Sequence, residues 1–302
     1  MGEQLASLDG VEIAYEEFGD PGDPAMLMIM GLGVQMIGWD DELCELLAAE
    51  RFRVVRFDNR DVGRSSRYDG PAPDWVALSA GDGSSANYLL ADMADDAVKL
   101  LDDLGIEAAH VVGASLGGMI AQTLAIRHSE RVLSLTSIMS TSGDRSVGQP
   151  HPEALAQLFN PPPNEPDGMA DWAVQNWKII GSPGFEPDND AIRRRARTSF
   201  ERGYNPQGVG RQLAAIVASG DRTPELARLD LPTLVIHGEA DPLIDVSGGK
   251  AVAAAVPGSK LTLIEGMGHD LPRQLWPRFV EQIAANAREA ERAPASAPTA
   301  PE

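Results

Sequence analysis

The sequence predicts an α/β fold, a mostly parallel central sheet flanked by helices and interrupted once by a helical insertion. Three observations predict it. Short apolar runs of strand length alternate with amphipathic helical stretches, the signature of a parallel sheet wrapped by helices. Strand signals vanish from Ser140 to about Asp230 and then return. A glycine-rich turn, Gly113-Ala114-Ser115-Leu116-Gly117, lies directly between a strand-like run and a helical one.

In chain order, Val11 to Phe18 alternates as a half-buried strand, and Ala25 to Met30 is a continuous apolar run suited to a central one. Asp40 to Ala49 reads as helix and Arg53 to Phe57 as the next strand. Tyr88 to Leu104 is a long amphipathic helix stopped by Gly105. His110 to Val112 leads into the glycine-rich turn, Met119 to His128 is helical, and Val132 to Met139 is a strand. In the interruption, prolines at 161–163, 166, 183 and 187 punctuate helical pieces such as Met169 to Ile180 and Ala191 to Arg202. Thr233 to His237 and Leu261 to Ile264 are the last strands; Val246 to Ala255 and Leu271 to Arg288 are the last helices. The expected organisation is a core of residues 1–139 and 231–292, a lid inserted at 140–230, and a disordered, dispensable Pro/Ala tail at 293–302.

A chain of 302 residues is large enough for one α/β domain with such an insertion. Its 45 acidic against 25 basic side chains leave a formal charge of −20, which repels phosphate backbones and anionic lipid and argues against nucleic-acid binding. The N-terminus has no basic stretch followed by an apolar run, and no segment is long enough to span a membrane, so a cytoplasmic protein is expected. The single cysteine, Cys44, excludes an internal disulfide and falls on the apolar face of a helix, where a buried thiol is expected.

The turn at Ser115 is a G-x-S-x-G motif in the context that gives it meaning: strand, sharp turn, helix. Such a turn strains the serine backbone, which small neighbours tolerate, and exposes the hydroxyl at the start of a helix, where the N–H of Leu116 can face a developing negative charge. A serine nucleophile needs a base, and the base an orienting acid. Of the five histidines, His110 lies at the wrong end of its strand, His128 about three turns down the following helix, and His151 in the insertion. His237 ends a strand and reads as structural. His269, in Gly266-Met267-Gly268-His269-Asp270, follows the last strand, at the sheet edge where α/β proteins build sites. For the acid, Asp241 is preferred because Pro242 turns it out of helical backbone; Glu239 and Asp245 stay as rivals.

The order Ser115, Asp241, His269, with the Gly-x-x-Asp-Pro and Gly-x-Gly-His loops, resembles the α/β-hydrolase superfamily over nearly the full chain. Arg60-Asp61-Val62-Gly63-Arg64-Ser65 resembles a loop that many such esterases carry after the fourth strand. Met30-Gly31 and Gly268-His269-Asp270-Leu271-Pro272 resemble the aclacinomycin methylesterase-type and mycobacterial esterase/lipase branch. The resemblance implies a serine esterase, with the backbone N–H groups of Leu32 and Leu116 as an oxyanion hole and Met30 and Gly31 near the substrate. One departure stands out: many relatives carry His-Gly where this chain has Met30-Gly31. Met169, Trp172, Trp177 and Phe185 of the insertion are further pocket candidates, or seal the insertion onto the sheet. The expected partner is a small-molecule substrate, a neutral ester that is apolar or bulky and polyketide- or macrolide-like, and neither metal nor cofactor is expected.

Three other readings remain open. Gly31-x-Gly33 after a strand mimics a dinucleotide fingerprint, but Met36 stands where the third glycine belongs. A ligand-binding member of the fold without turnover is possible on fold alone. The same triad also serves perhydrolases, thioesterases, lactonases and carbon–carbon bond hydrolases.

Overall fold

The computed structural model of the chain describes residues 2–292. Among them, eight strands form a single sheet: β1 (Gln4–Leu8), β2 (Val11–Phe18), β3 (Ala25–Ile29), β4 (Arg53–Phe57), β5 (Ala109–Ala114), β6 (Val132–Ile138), β7 (Thr233–Gly238) and β8 (Lys260–Ile264). Their spatial order is β1-β2-β4-β3-β5-β6-β7-β8. β1 runs antiparallel to β2, and β2 to β4; all other neighbours are parallel. The helices are α1 (Asp41–Ala49), α2 (Trp75–Ser79), α3 (Leu90–Asp103), α4 (Leu116–Arg127), α5 (Pro152–Leu158), α6 (Pro166–Ile180), α7 (Asn189–Gly203), α8 (Pro206–Ser219), α9 (Thr223–Leu226), α10 (Val246–Ala255) and α11 (Trp276–Arg292). The Pro/Ala segment at 293–302 lies outside the described residues. No helix among those described is long and apolar enough to cross a membrane.

Two faces of the sheet carry two cores, and the strand period of two assigns residues to them. Leu27 and Ile29 of β3 join Val55, Val111 and Leu135 under α3 and α4. Met26 and Met28, one residue out of phase, join Val54, Val112 and Ile236 under α1 and α11. β3, β5 and β7 are buried at every position because helices cover both faces. Cys44 lies in the second core at 0% exposure, and burial pushes its thiol up to about 12.

β1 was not foreseen. It buries only Ala6 and Leu8 and pairs with a single neighbour at the sheet edge, so its apolar signal is short. The helical pieces α5, α8 and α9 of the stretch between β6 and β7 were also not individually legible. α8 starts Pro206-Gln207-Gly208-Val209-Gly210, a run that opens like a loop. The Cβ that Gly208 lacks would lie 2.2 Å from the Asp61 carbonyl oxygen, so close packing, rather than turn formation, accounts for that glycine.

The topology fixes where a site can form. From β3 the chain steps to β4 on one side, then crosses to β5 on the other. The loops leaving β3 and β5 therefore diverge, opening a crevice at the carboxyl edge between them. Ser115 follows β5, and Gly31 follows β3.

Candidate active site

Ser115 has φ 56° and ψ −120°, a positive-φ conformation outside the left-handed helical basin that costs a non-glycine residue about 1–3 kcal/mol. Its surroundings hold it there. The Ser115 N–H donates to the Ile138 carbonyl at 2.9 Å, and its own carbonyl accepts from the Ser140 hydroxyl at 2.8 Å and the Gly118 N–H at 2.9 Å. The strand and helix on either side pack backbone against backbone. A Cβ on Gly113 would lie 2.1 Å from the Gly117 carbonyl oxygen, and one on Gly117 would lie 2.0 Å from that of Ile29. The motif glycines are thus required by close approach.

His269 and Asp241 complete a hydrogen-bonded chain with this serine. His269 Nε2 lies 2.9 Å from Ser115 Oγ, and His269 Nδ1 lies 2.7 Å from Asp241 Oδ2. The end of β8 is three strands from β5, about 14 Å at the usual strand spacing, so the loop from Glu265 must reach back across the sheet. Asp241, 3% exposed, also accepts from the N–H groups of Leu243 and Ile244, both at 2.9 Å through Oδ1. Both carboxylate oxygens are thereby engaged. With the carboxylate accepting from Nδ1–H, the imidazole keeps the Nε2 lone pair for the serine hydroxyl.

The rival acids lie elsewhere. Glu239 is exposed, and Asp245 caps α10, accepting from the Ser247 N–H at 2.9 Å. The other histidines have their own partners: His110 meets Ser134 at 2.9 Å, His128 meets Asp95 at 2.7 Å, and His151 is exposed. His237 is fully buried beside Asp241, with Nε2–H donating to the Ile244 carbonyl at 2.8 Å and lying 3.5 Å from Asp241 Oδ2. Burial holds its pKa below the ordinary imidazole value, consistent with a neutral ring.

The loop after β3 lies against the serine. A Cβ on Gly31 would stand 3.1 Å from Ser115 Cβ. The Leu32 N–H donates to no described group, whereas the neighbouring Gly33 N–H is taken by Gln212 Oε1 at 2.8 Å. Leu116 opens α4, where an N–H has no acceptor within the helix.

The remaining pocket candidates separate. Met30 is 5% exposed and belongs to the apolar core with Trp39 and Met28. Phe185 is half-buried against the same core. Met169 and Trp172 are half-buried on α6, and the Trp172 indole N–H is buried without a partner among the described residues. Trp177 has a specific partner: its indole N–H donates to Asp270 Oδ2 at 2.7 Å. Ser182 donates to the other oxygen of Asp270 and accepts from the Gly268 N–H at 2.8 Å. The His269 N–H in turn donates to the Ile180 carbonyl at 2.7 Å. The end of α6 is therefore stitched into the histidine loop. Asp270 and Ser182 received no role from the sequence, because the stitch pairs residues 88 positions apart. Among the described residues, no group of three or more His, Cys, Asp or Glu side chains could hold a metal ion.

Comparison with known proteins agrees with this architecture. Residues 24–272 match the α/β hydrolase fold family. Rhodomycin D methylesterase DauP of Streptomyces sp. (strain C5) is 32% identical over 96% of this chain and 99% of that protein. Rhodomycin D methylesterase DnrP of Streptomyces peucetius is 30% identical with the same coverage. The structure of an enol-lactonase from Burkholderia xenovorans superposes with a TM-score of 0.74 at 21% identity, covering 94% of this chain and 100% of that one. A thermophilic esterase from Thermogutta terrifontis gives 0.71 at 21% identity, covering 96% and 99%. These two structures speak for the fold alone. The family match and the methylesterase relatives carry the further conclusion that the chain belongs to the α/β-hydrolase family.

Proposed function

We propose that this protein is a serine-dependent carboxylic ester hydrolase working through an acyl-enzyme. The observation that carries the reading is the chain Ser115–His269–Asp241, with links of 2.9 and 2.7 Å, on a serine held in strained backbone at the sheet edge. Ser115 Oγ attacks the ester carbonyl while His269 Nε2 takes its proton. Asp241 fixes the tautomer and stabilises the imidazolium. The developing oxyanion accepts from the Leu32 and Leu116 N–H groups, each such donor typically worth about 3 kcal/mol of barrier. His269 returns the proton to the departing alkoxide, and the alcohol leaves. Water, deprotonated by His269, then attacks the acyl-enzyme and frees the acid and Ser115.

The helices between β6 and β7 act as a lid over this centre, contributing Trp172 and Met169 to an apolar wall. The substrate is an ester that is uncharged at the reacting group and apolar in body. The methylesterase relatives support a small alcohol as leaving group. A protein named 3-oxoadipate enol-lactonase 2, from Acinetobacter baylyi, is 27% identical over 84% of this chain, and a cyclic ester would open by the same steps.

The test is hydrolysis of a p-nitrophenyl ester series by the native protein and Ser115→Ala. The native protein should turn over, and the variant should lose about ten-thousand-fold or more of kcat. Retained turnover in folded Ser115→Ala would remove the serine from the mechanism.

A further inference from the structure

The loop after β3 is held from two directions. From the sheet side, Asn59 Nδ2 donates to the Met30 carbonyl at 3.0 Å, and Asp58 Oδ1 accepts from the Met36 N–H at 2.7 Å. Between these anchors the chain makes a turn, closed by the Val34 N–H donating to the Gly31 carbonyl at 3.2 Å. Leu32 and Gly33 are its central residues, and Gly33 has φ 66°. Turns of this kind come in two forms that differ by a flip of the central peptide, here the one joining Leu32 to Gly33. Leu32 is the residue on which that flip pivots, and its N–H is the free one that faces the serine in the ester-hydrolase reading.

The central peptide is held from the other direction, by α8. Gln212 is fully buried. Its Oε1 accepts from the Gly33 N–H at 2.8 Å, and its Nε2 donates to the Arg60 carbonyl at 2.9 Å. Gly33 offers only a donor and Arg60 only an acceptor, so a carboxamide in this one orientation satisfies both. The far partner is itself fixed: the Arg60 guanidinium meets both oxygens of Asp96 on α3, at 2.6 and 2.8 Å. Val209, one turn earlier on α8, covers the same glycine. A Cβ on Gly33 would stand 2.7 Å from Val209 Cγ2. The Leu32 side chain is half-buried against the core under α3 and α4, so the turn has little freedom once Gln212 is in place.

We propose that Gln212 is a positioning residue for the oxyanion hole: by fixing the Gly33 N–H from α8, it holds the Leu32 N–H toward the oxygen of the tetrahedral intermediate. The inference rests on the ester-hydrolase reading and adds to it that the helical insertion completes the site, since α8 lies between β6 and β7. Gln212 touches no reacting atom. Its loss leaves the Leu32 N–H in the chain but frees the turn that aims it, and a donor out of position stabilises the transition state poorly.

The experiment compares two ligands of equal chain length, an alkyl trifluoromethyl ketone and the matching methyl ketone. Ser115 Oγ adds to the trifluoromethyl ketone carbon, the carbonyl electron pair moves onto oxygen, and the serine proton passes to His269, giving an oxyanion in the hole. The methyl ketone binds without that adduct and reports ground-state affinity. Gln212→Met should weaken the trifluoromethyl ketone about 30- to 100-fold and lower kcat on p-nitrophenyl esters by a similar factor. The methyl ketone affinity and the ester KM should stay within about 2-fold. A merely structural glutamine would weaken both ketones together or neither. Gln212→Glu restores an acceptor for the Gly33 N–H and should recover part of the lost affinity; a Glu variant no better than Met overturns the proposal. If Gln212→Met does not fold, Gln212→Asn keeps a carboxamide but draws it back from Gly33, and it should weaken the trifluoromethyl ketone selectively. Equal loss on both ketones, or no loss, overturns the proposal. A native protein that prefers the trifluoromethyl ketone, with a preference that Gln212→Met leaves intact, sinks Gln212 and spares the hydrolase. A native protein with no such preference sinks the hydrolase reading and the inference with it.

Discussion

Two regions of the molecule meet at the loop after β3, beside Ser115, and different forces hold them. On the sheet side, backbone packs against backbone: the glycines of the turn leave no room for a Cβ, and Ser115 is locked by main-chain hydrogen bonds. On the helical side, α7 and α8 are docked by charge. Arg202 meets Asp58 at 2.9 Å, and Arg211 grips both oxygens of Asp61 at 2.8 and 2.7 Å. Both aspartates are 0% exposed and come from the segment Asp58–Ser65 after β4. The lesson is a division of labour. Ser115 is positioned by uncharged main-chain contacts, while α7 and α8 are positioned by ion pairs that acid can loosen.

The largest effect should come from breaking the sheet side at the proposed base. His269→Ala is expected to lower kcat by about ten-thousand-fold while leaving thermal unfolding near native. His128→Ala, at a histidine paired with Asp95 far down α4, should keep native kcat. Asp241→Asn should approach the His269 variant, and Glu239→Gln, at an exposed position, should be silent. A damaging Glu239 change with a mild Asp241 change would reassign the acid.

The helical side breaks differently. Asp61 also accepts from the Tyr88 hydroxyl at 2.8 Å and the Tyr68 N–H at 2.9 Å, so removing Arg211 leaves a fully buried carboxylate with only neutral donors. Arg211→Met should cost about 3–5 kcal/mol in urea unfolding. Limited proteolysis should then cut first within 140–230, with the sheet persisting. Cuts spread evenly over the chain would show that the helices and the sheet unfold as one unit and would dissolve the contrast.

The sheet side was largely legible in the sequence, and the helical side was not. Strand period, the G-x-S-x-G context and the carboxyl-edge rule all act over a few residues, so they single out Ser115, His269 and the loop of Asp241 without knowledge of packing. The docking of α7 and α8 pairs residues 144 and 150 positions apart, and no local pattern announces such partners. The Arg60–Ser65 stretch was noticed as a resemblance, but its use as a socket for two arginines follows only from the folded chain. Trp177 illustrates the limit from the other direction. Its helical spacing left pocket wall and seal of the insertion as alternatives, and neither reading pointed to the bond its indole N–H makes to Asp270.

Asp270 joins the two sides, and its titration should sharpen the comparison with the smallest effect of the set. Burial raises its pKa above the ordinary carboxylate value, despite the Ser182 and Trp177 donors that oppose the shift. Asp61 behaves oppositely: burial alone would raise it, but Arg211 and the other donors bring it below the ordinary value. The signs follow by linkage. A folded pKa above the unfolded one means the folded state binds the proton more readily, so the Asp270 contribution to stability falls as pH rises from the ordinary carboxylate value through its folded pKa. The Asp61 contribution is present above the ordinary value and is lost as pH falls through its depressed pKa. Asp270→Asn should therefore flatten the weakly acidic part of the stability–pH curve, and Asp61→Asn the strongly acidic part. Because the Asn amide can replace only one acceptor oxygen, Asp270→Asn should also loosen the end of α6 from the histidine loop, read as faster amide exchange at Gly268 and His269. Unchanged exchange there, with an unchanged stability–pH profile, would mean the stitch does not couple the helices to the site.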